Sequence, residues 1–338
     1  MPDPRSSRER TEELERASLS AWATLSAESK GREQPEEPDP LRTAFQVDVD
    51  RIVACAAFER LTDKTHTLLA PRGERYRSRL DHTLRGARIA RTMARALRLN
   101  EDLTEAIALG RDLGATAFAR AGEDALSLVA DEPVRHNHQS VRVVDVLESD
   151  GAGLNLTWEV RDGIGAHTLD APSPATREGE VVRLSDRIAH LTGELADALS
   201  AGVLLPDDLP DDIVVGWGAD PDAWVRTLTA DAVKASTDTP EVRLSHVAWS
   251  TLERLDVFVT ERIAERHGAQ AERARGSHCL SSLVVFYVDN VRRLPAAHRG
   301  GPDPAVVRVI DFVASLSDVQ ARRLFERLFL PSRQPHRS

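Results

Sequence analysis

Apolar residues recur along most of this chain at three- and four-residue steps, the spacing that lines up one face of an α-helix. The clearest stripe lies over 176–201, through Val181, Leu184, Ile188, Leu191, Leu195 and Leu199, with Gly202 following as a candidate C-cap. Over 82–97, Leu84, Ala87, Ala90, Ala94 and Leu97 share a face. Asn100 then predicts an N-cap, with Glu101 and Asp102 well placed in the first turn of a helix running through Leu103, Ile107 and Leu109 toward Gly114. Further helices are predicted over 137–148, burying Val141, Val144 and Leu147, and over 222–236, 244–267, 279–293 and 304–330. Pro206 and Pro210 mark a loop, and Gly300-Gly301-Pro302 punctuates the last linker. Alternation at period two is nearly absent; only 212–217 can be argued as a strand. The chain has no internal repeat, and the fold class expected is all-α.

The texture differs before residue 41. Residues 1–40 hold ten acidic and six basic side chains and five prolines. Such a segment offers little apolar surface to offset its ordering entropy, so a largely disordered tail is expected. A short helix over 9–22 would rest on Leu14, Leu19 and Trp22 as its apolar anchors. The expected organisation is this tail, a helical core over 41–202, a helical C-terminal region over 203–332 packed on it, and a tail over 333–338.

Composition narrows the function classes. The 338 residues carry a net charge of −10, which argues against general nucleic-acid binding. No apolar run approaches the length of a membrane span, and the start has no apolar signal core. Two cysteines, Cys55 and Cys279, form no framework and fit a reducing cytoplasm. Aromatics make up only 4%, so aliphatic side chains must fill the core.

No phosphate-binding glycine loop, serine elbow or HExxH pair occurs. The informative feature is a set of His and Asp side chains on consecutive predicted helices: His82, Asp112, His136 and Asp186. Asp186 lies beside the apolar stripe, near Val182 and Ala189, where a carboxylate normally needs a cation, a metal or a hydrogen-bond donor. Spacing alone leaves the ordinary reading, of surface or satisfied polar residues, ahead of a ligand set. Arg42, Asp50, Arg51 and Arg60 fit interhelical ion pairs, Leu156 and Trp158 fit core positions, and His138, His167, His246 and His278 fit exposed loop or surface positions.

Longer blocks change that balance. The chain resembles the HD-domain deoxynucleoside triphosphate triphosphohydrolases, the dGTPase-like family. The resemblance runs in order over about residues 20–332. It passes through Arg42-Thr43-Ala44-Phe45, Asp48-Val49-Asp50-Arg51, Phe58-Glu59-Arg60-Leu61, Lys64-Thr65, Ser78-Arg79-Leu80-Asp81-His82-Thr83, Leu99-Asn100-Glu101-Asp102-Leu103, His136-Asn137 and Arg183-Leu184-Ser185-Asp186-Arg187. It implies a multi-helix HD fold with a helical C-terminal extension, the HD core falling over 41–202. It also implies a divalent metal (Mg or Mn) held by His82, the residue at position 111, Asp112 and Asp186, with Glu123 and His136 in catalytic roles. The family reaction converts a deoxynucleoside triphosphate and water to deoxynucleoside and tripolyphosphate, the metal lowering the pKa of its bound water. Arg79 and Lys64 would help hold phosphate oxygens.

Where the family pattern reads His-Asp-Leu-Gly-His, with another His five residues later, this chain has Arg111-Asp112-Leu113-Gly114-Ala115 and Arg120. Gly122-Glu123 is retained. The Gln after Lys-Thr is His66, and the Tyr four residues after the last metal Asp is His190. Arginine has no lone pair to give and stays charged, so Arg111 cannot be a ligand, and its guanidinium is suited to bridge Asp112 and Asp186. Losing the other two histidines removes acid–base help commonly worth about 10²–10⁴-fold. The expectation is a family member with weak or absent turnover, its metal position empty of metal, and its old cleft retaining a deoxynucleotide or phosphate site on Lys64, His66, Arg79, Arg111, Arg120 and His190. An active enzyme with a rearranged metal site and a non-catalytic subunit of an oligomer are the alternatives. No membrane contact is expected, and oligomerisation is.

Overall fold

The computed structural model describes residues 5–66, 77–202, 204–218, 220–264 and 267–331. Sixteen α-helices form among them and no β-strand, only the isolated bridges Arg32–Thr157 and Thr65–Ser78. In chain order the helices are α1 Ser7–Ser18, α2 Ala44–Ala54, α3 Ala56–Arg60, α4 Arg79–Ala96, α5 Glu101–Gly110, α6 Arg120–Ser127, α7 His136–Arg142 and α8 Trp158–Gly165. Then follow α9 Arg177–Ser200, α10 Asp211–Trp217, α11 Pro221–Ser236, α12 His246–Ala264, α13 His267–Asp289, α14 Ala296–Arg299, α15 Ala305–Ser315 and α16 Asp318–Phe329. The all-α expectation holds. Among the described residues no helix is long and apolar enough to cross a membrane.

Local chemistry sets the boundaries. Asn100 caps α5 by accepting from the amides of Asp102 and Leu103, and Thr176 caps α9 through Gly179. Gly202, at φ +63°, follows the end of α9. Three expectations need correction. The segment 212–217 is part of helix α10, because its apolar residues pack as about two turns of helix against α11 rather than pairing in a ladder. The helix over 137–148 ends as α at Arg142 and passes into a π-turn, Val143–Leu147, before two left-handed residues, Ser149 and Asp150. The helix over 304–330 is broken at Ser317, whose hydroxyl and the Gln320 side chain form a reciprocal capping box that starts α16.

The apolar interior forms two cores, each drawing on helices before and after residue 202. The first joins α2, α4, α5, α8 and α9 with α10, α11 and part of α12. The second joins α6 with α13, α15 and α16. Gly276 on α13 lets that helix close on Phe118, where a Cβ would come within 2.8 Å of the phenyl side chain.

The N-terminal segment departs most from expectation. From Arg5 onward it is ordered on the core, and apolar anchors do not hold it: Leu14 is 67% exposed and Trp22 49%. Its buried anchor is Glu15, whose carboxylate accepts from the amide and hydroxyl of Ser26 (both 2.7 Å) and from Asn100. Fully buried Glu178 on α9 accepts from the amide and hydroxyl of Thr24 and from the amide of Asn100. A composition count misses this docking because buried hydrogen bonds to two carboxyl groups, not apolar area, carry it. Residues 1–4 and the expected tail over 333–338 lie outside the described residues.

Candidate active site

The first turn of α4 builds the centre of the site. Ser78 and Asp81 cap it reciprocally, which leaves His82, Thr83 and Gly86 on the buried face. Opposite stands α9, presenting Asp186 and, one turn on, His190. Between them the chain leaves α5 through Arg111 and Asp112. That connection is held from behind: the Gly114 amide donates to the Ser140 hydroxyl, which donates to the Arg111 carbonyl (2.8 and 2.6 Å). Gly114 is required there, since a Cβ would sit 2.2 Å from the Ser140 nitrogen.

Arg111 is completely buried. Its Nε lies 2.9 Å from Asp186 Oδ1 and 3.4 Å from Asp112 Oδ2, and its Nη1 donates to the Ala108 carbonyl at 2.6 Å. The bridge expected between Asp112 and Asp186 is therefore the observed geometry. Asp112 also accepts from Thr83 Oγ1 (2.8 Å) and faces Arg79 Nη1 at 3.4 Å. Burial alone would raise the Asp112 carboxyl, but Arg111 and Arg79 outweigh it and hold it well below the usual carboxylate range. Asp186 behaves likewise: burial opposes its charge, and Arg111 and the His82 hydrogen bond override it downward.

His82 Nε2 is 3.0 Å from Asp186 Oδ1, while its buried Nδ1 has no partner. Burial brings His82 down to about 4, so the ring is neutral at physiological pH. His66 stacks on it at 3.8 Å between centroids, and His190 meets both rings edge-on. His190 is part-exposed and lies near Glu194.

These residues do not fit a divalent ion. A guanidinium without a lone pair fills the space between the two carboxylates, and His82 points its Nε2 at one of them rather than at a shared centre. Among the described residues no group of three or more His, Cys, Asp or Glu side chains is arranged to hold a metal.

Beside this centre runs a second polar chain, Glu123–His136–His167. His167 Nδ1 lies 2.8 Å from the Ile164 carbonyl, which only accepts, so that nitrogen carries the proton. Burial, with His136 adding to it, brings His167 down to about 4 and leaves its Nε2 an acceptor. His136 Nε2, 3.1 Å away, must donate to it, and His136 Nδ1 faces Glu123 at 2.8 Å. Burial works against a charged His136, but the Glu123 hydrogen bond outweighs it and raises the ring. Burial also opposes the Glu123 carboxylate, and His136 overrides it downward. The arrangement is an imidazolium–carboxylate pair backed by a neutral imidazole, with every ring nitrogen engaged inside the protein.

His167, expected as an exposed loop residue, is thus buried in the site. Nothing in its local pattern marks it, because its partner is 31 residues away in the chain. His138, His246 and His278 are exposed. Lys64, expected to hold phosphate oxygens, is instead engaged by main chain: its buried Nζ donates to the carbonyls of Ala115 and Ala314. Burial, reinforced by Arg60, pulls its ammonium down to about 7. Arg60 itself pairs with Glu148, Arg42 with Asp50, and Arg51 with Glu36. Arg120 begins α6, exposed and with no ion-pair partner among the described residues.

The residue before Arg120 is strained. Ala119 has φ +53° and ψ −136°, a region that favours glycine. Ala119→Gly is expected to stabilise the chain by about 1 kcal/mol, as relief of strain exceeds the added freedom of the unfolded chain. A rise in urea midpoint at unchanged slope checks it, and a fall would mean the backbone here is not strained.

Comparison with known proteins agrees with this architecture. Residues 79–191 match the HD domain and residues 242–327 the Phosphohydrolase-associated domain. The chain is 43% identical over 330 residues to a deoxyguanosinetriphosphate triphosphohydrolase-like protein of Caldanaerobacter subterraneus subsp. tengcongensis, covering 96% of each chain. Proteins of the same description from Desulfatibacillum aliphaticivorans and Clostridium perfringens are 41% and 39% identical, each covering 96% of this chain and 98% of their own. With both domains matched in order and this identity sustained from end to end, the chain belongs to the deoxyguanosinetriphosphate triphosphohydrolase-like family of HD-domain proteins.

Proposed function

We propose that this chain is a dGTPase-like protein that binds a deoxynucleoside triphosphate, or its phosphate groups, with little or no hydrolysis. The observation that carries the reading is the buried Arg111 guanidinium against Asp186 and Asp112, where the family reaction needs a metal and its activated water. The closed Glu123–His136–His167 chain adds to it, since neither ring has a nitrogen free to exchange a proton with a ligand. Arg120 supports retained binding as an uncommitted cation at the start of α6. The reading includes a cytoplasmic setting, in keeping with two unpaired buried cysteines, and assembly into an oligomer. The opposing observation is the neutralisation of Arg111 and Arg79 by Asp112 and Asp186, which favours a purely non-catalytic subunit as the second reading.

Two measurements separate these. Tripolyphosphate release from each deoxynucleoside triphosphate, with manganese or magnesium, is expected near background; robust turnover that chelator abolishes would establish an active, rearranged site instead. Calorimetric titration with dGTP in chelator is expected to give heat that weakens as salt rises, with affinity falling roughly tenfold in Arg120→Ala. No heat and no thermal shift at millimolar nucleotide would leave the subunit reading standing.

A further inference from the structure

We infer that Gly86 and Arg111 form one built unit: a glycine slot on α4 admits a tethered guanidinium as the site's resident cation, and that cation shuts out a divalent one. Gly86 sits mid-helix on the buried face of α4, where glycine weakens a helix and brings no contact of its own. A Cβ at this position would lie 2.5 Å from Arg111 Nη2, 3.1 Å from Cζ and 3.2 Å from Nη1. The tip of an arginine can ordinarily swing away from such a clash. This one cannot, because its Nε is held by Asp186, its Nη1 by the Ala108 carbonyl, and no part of the side chain reaches solvent. Nη2, the atom nearest Gly86, is buried without an acceptor. The slot therefore supplies room, not a hydrogen bond, and room for a planar group is what only a missing side chain provides.

Charge explains the exclusion. Asp112 and Asp186 already face two permanent cations, Arg111 and Arg79. A divalent ion added among them would leave an uncompensated double positive charge in a poorly screened interior. Unlike a bound ion, the guanidinium cannot dissociate, so the charge balance of the site is independent of metal supply and of chelators. This goes beyond the question of nucleotide binding and turnover, and stands or falls separately from it.

A double-mutant cycle on the full-length chain tests it. Gly86→Ala in the wild-type background is expected to lower Tm by roughly 3–6 °C as the pinned guanidinium is displaced. In an Arg111→His background, where the slot has no occupant, the same change is expected to cost under about 1 °C. Equilibrium dialysis against manganese, followed by elemental analysis, reads the second half. R111H is expected to retain about one Mn²⁺ per chain on His82, the new histidine, Asp112 and Asp186. Wild type and Arg111→Lys, which keep the charge, are expected to retain under about a tenth of that. Should the histidine variant not fold, Arg111→Gln reads both halves, with G86A costing it little and manganese uptake exceeding that of wild type. An equal cost of G86A in both backgrounds, no cost in wild type, or uptake by the neutral variants no greater than that of wild type overturns the inference.

Discussion

Replacing Asp112 by alanine is expected to lower the stability of the full-length chain by about 3–5 kcal/mol at pH 7, the usual loss when one partner of a buried ion pair is removed. The carboxylate is nearly inaccessible, and three groups depend on it: the Arg111 guanidinium, the Arg79 guanidinium and the Thr83 hydroxyl. Asp186 alone would then face the buried charge of Arg111. The loss is expected in chelator and in manganese alike, which separates this role from that of a metal ligand. Its pH dependence has a definite sign. The folded-state pKa of Asp112 lies below the unfolded value, so its contribution is fully present above about pH 4. It drains away as acid protonates the carboxyl through its lower folded value. The gap between wild type and variant in urea unfolding should therefore be constant from pH 7 to about 5 and close only below about pH 4. A gap that closes between pH 7 and 5 would mean that Asp112 is not held by its guanidinium neighbours.

Glu178→Ala is the second large effect, expected at about 2–4 kcal/mol, because it strands three donors at once: the part-buried Thr24 amide and hydroxyl and the buried Asn100 amide. Asn100 also caps α5 and reaches Glu15 and Ser26, so the damage spreads to the docking of the whole N-terminal segment. Limited proteolysis should then cut within residues 19–31 at protease levels that leave wild type intact, before any cleavage of the core. Glu178→Gln, which keeps one accepting oxygen, should lose about half as much. A variant as stable and as resistant as wild type would show that the segment is held elsewhere.

The helical reading of the chain succeeded where one local signal sufficed. The stripe of α9 and the cap at Asn100 rest on residues two to four apart, and both stand in the structure. It failed where local signals competed. The β-branched run Ile213–Val215 of α10 can pass for a short strand, and only packing against α11 selects the helix. The break at Ser317 is a capping box written in the sequence but masked by apolar periodicity continuing on both sides.

The candidate site divides along the same line. That position 111 cannot hold a metal is a property of the arginine side chain itself, and so is its fitness to bridge two carboxylates. The sequence by itself determined the helical class, the family blocks and this chemical incompatibility, because each rests on near neighbours or on one side chain. Only the tertiary structure decided that Gly86 faces Arg111, that His167 completes the chain from Glu123, that Lys64 is held by main-chain carbonyls, and that a polar N-terminal segment docks on Glu178. These partners lie between 25 and more than 200 residues apart. Whether a buried polar group is stable depends on the donor or acceptor that meets it there, and that partner is chosen by how helices pack, which no local pattern encodes.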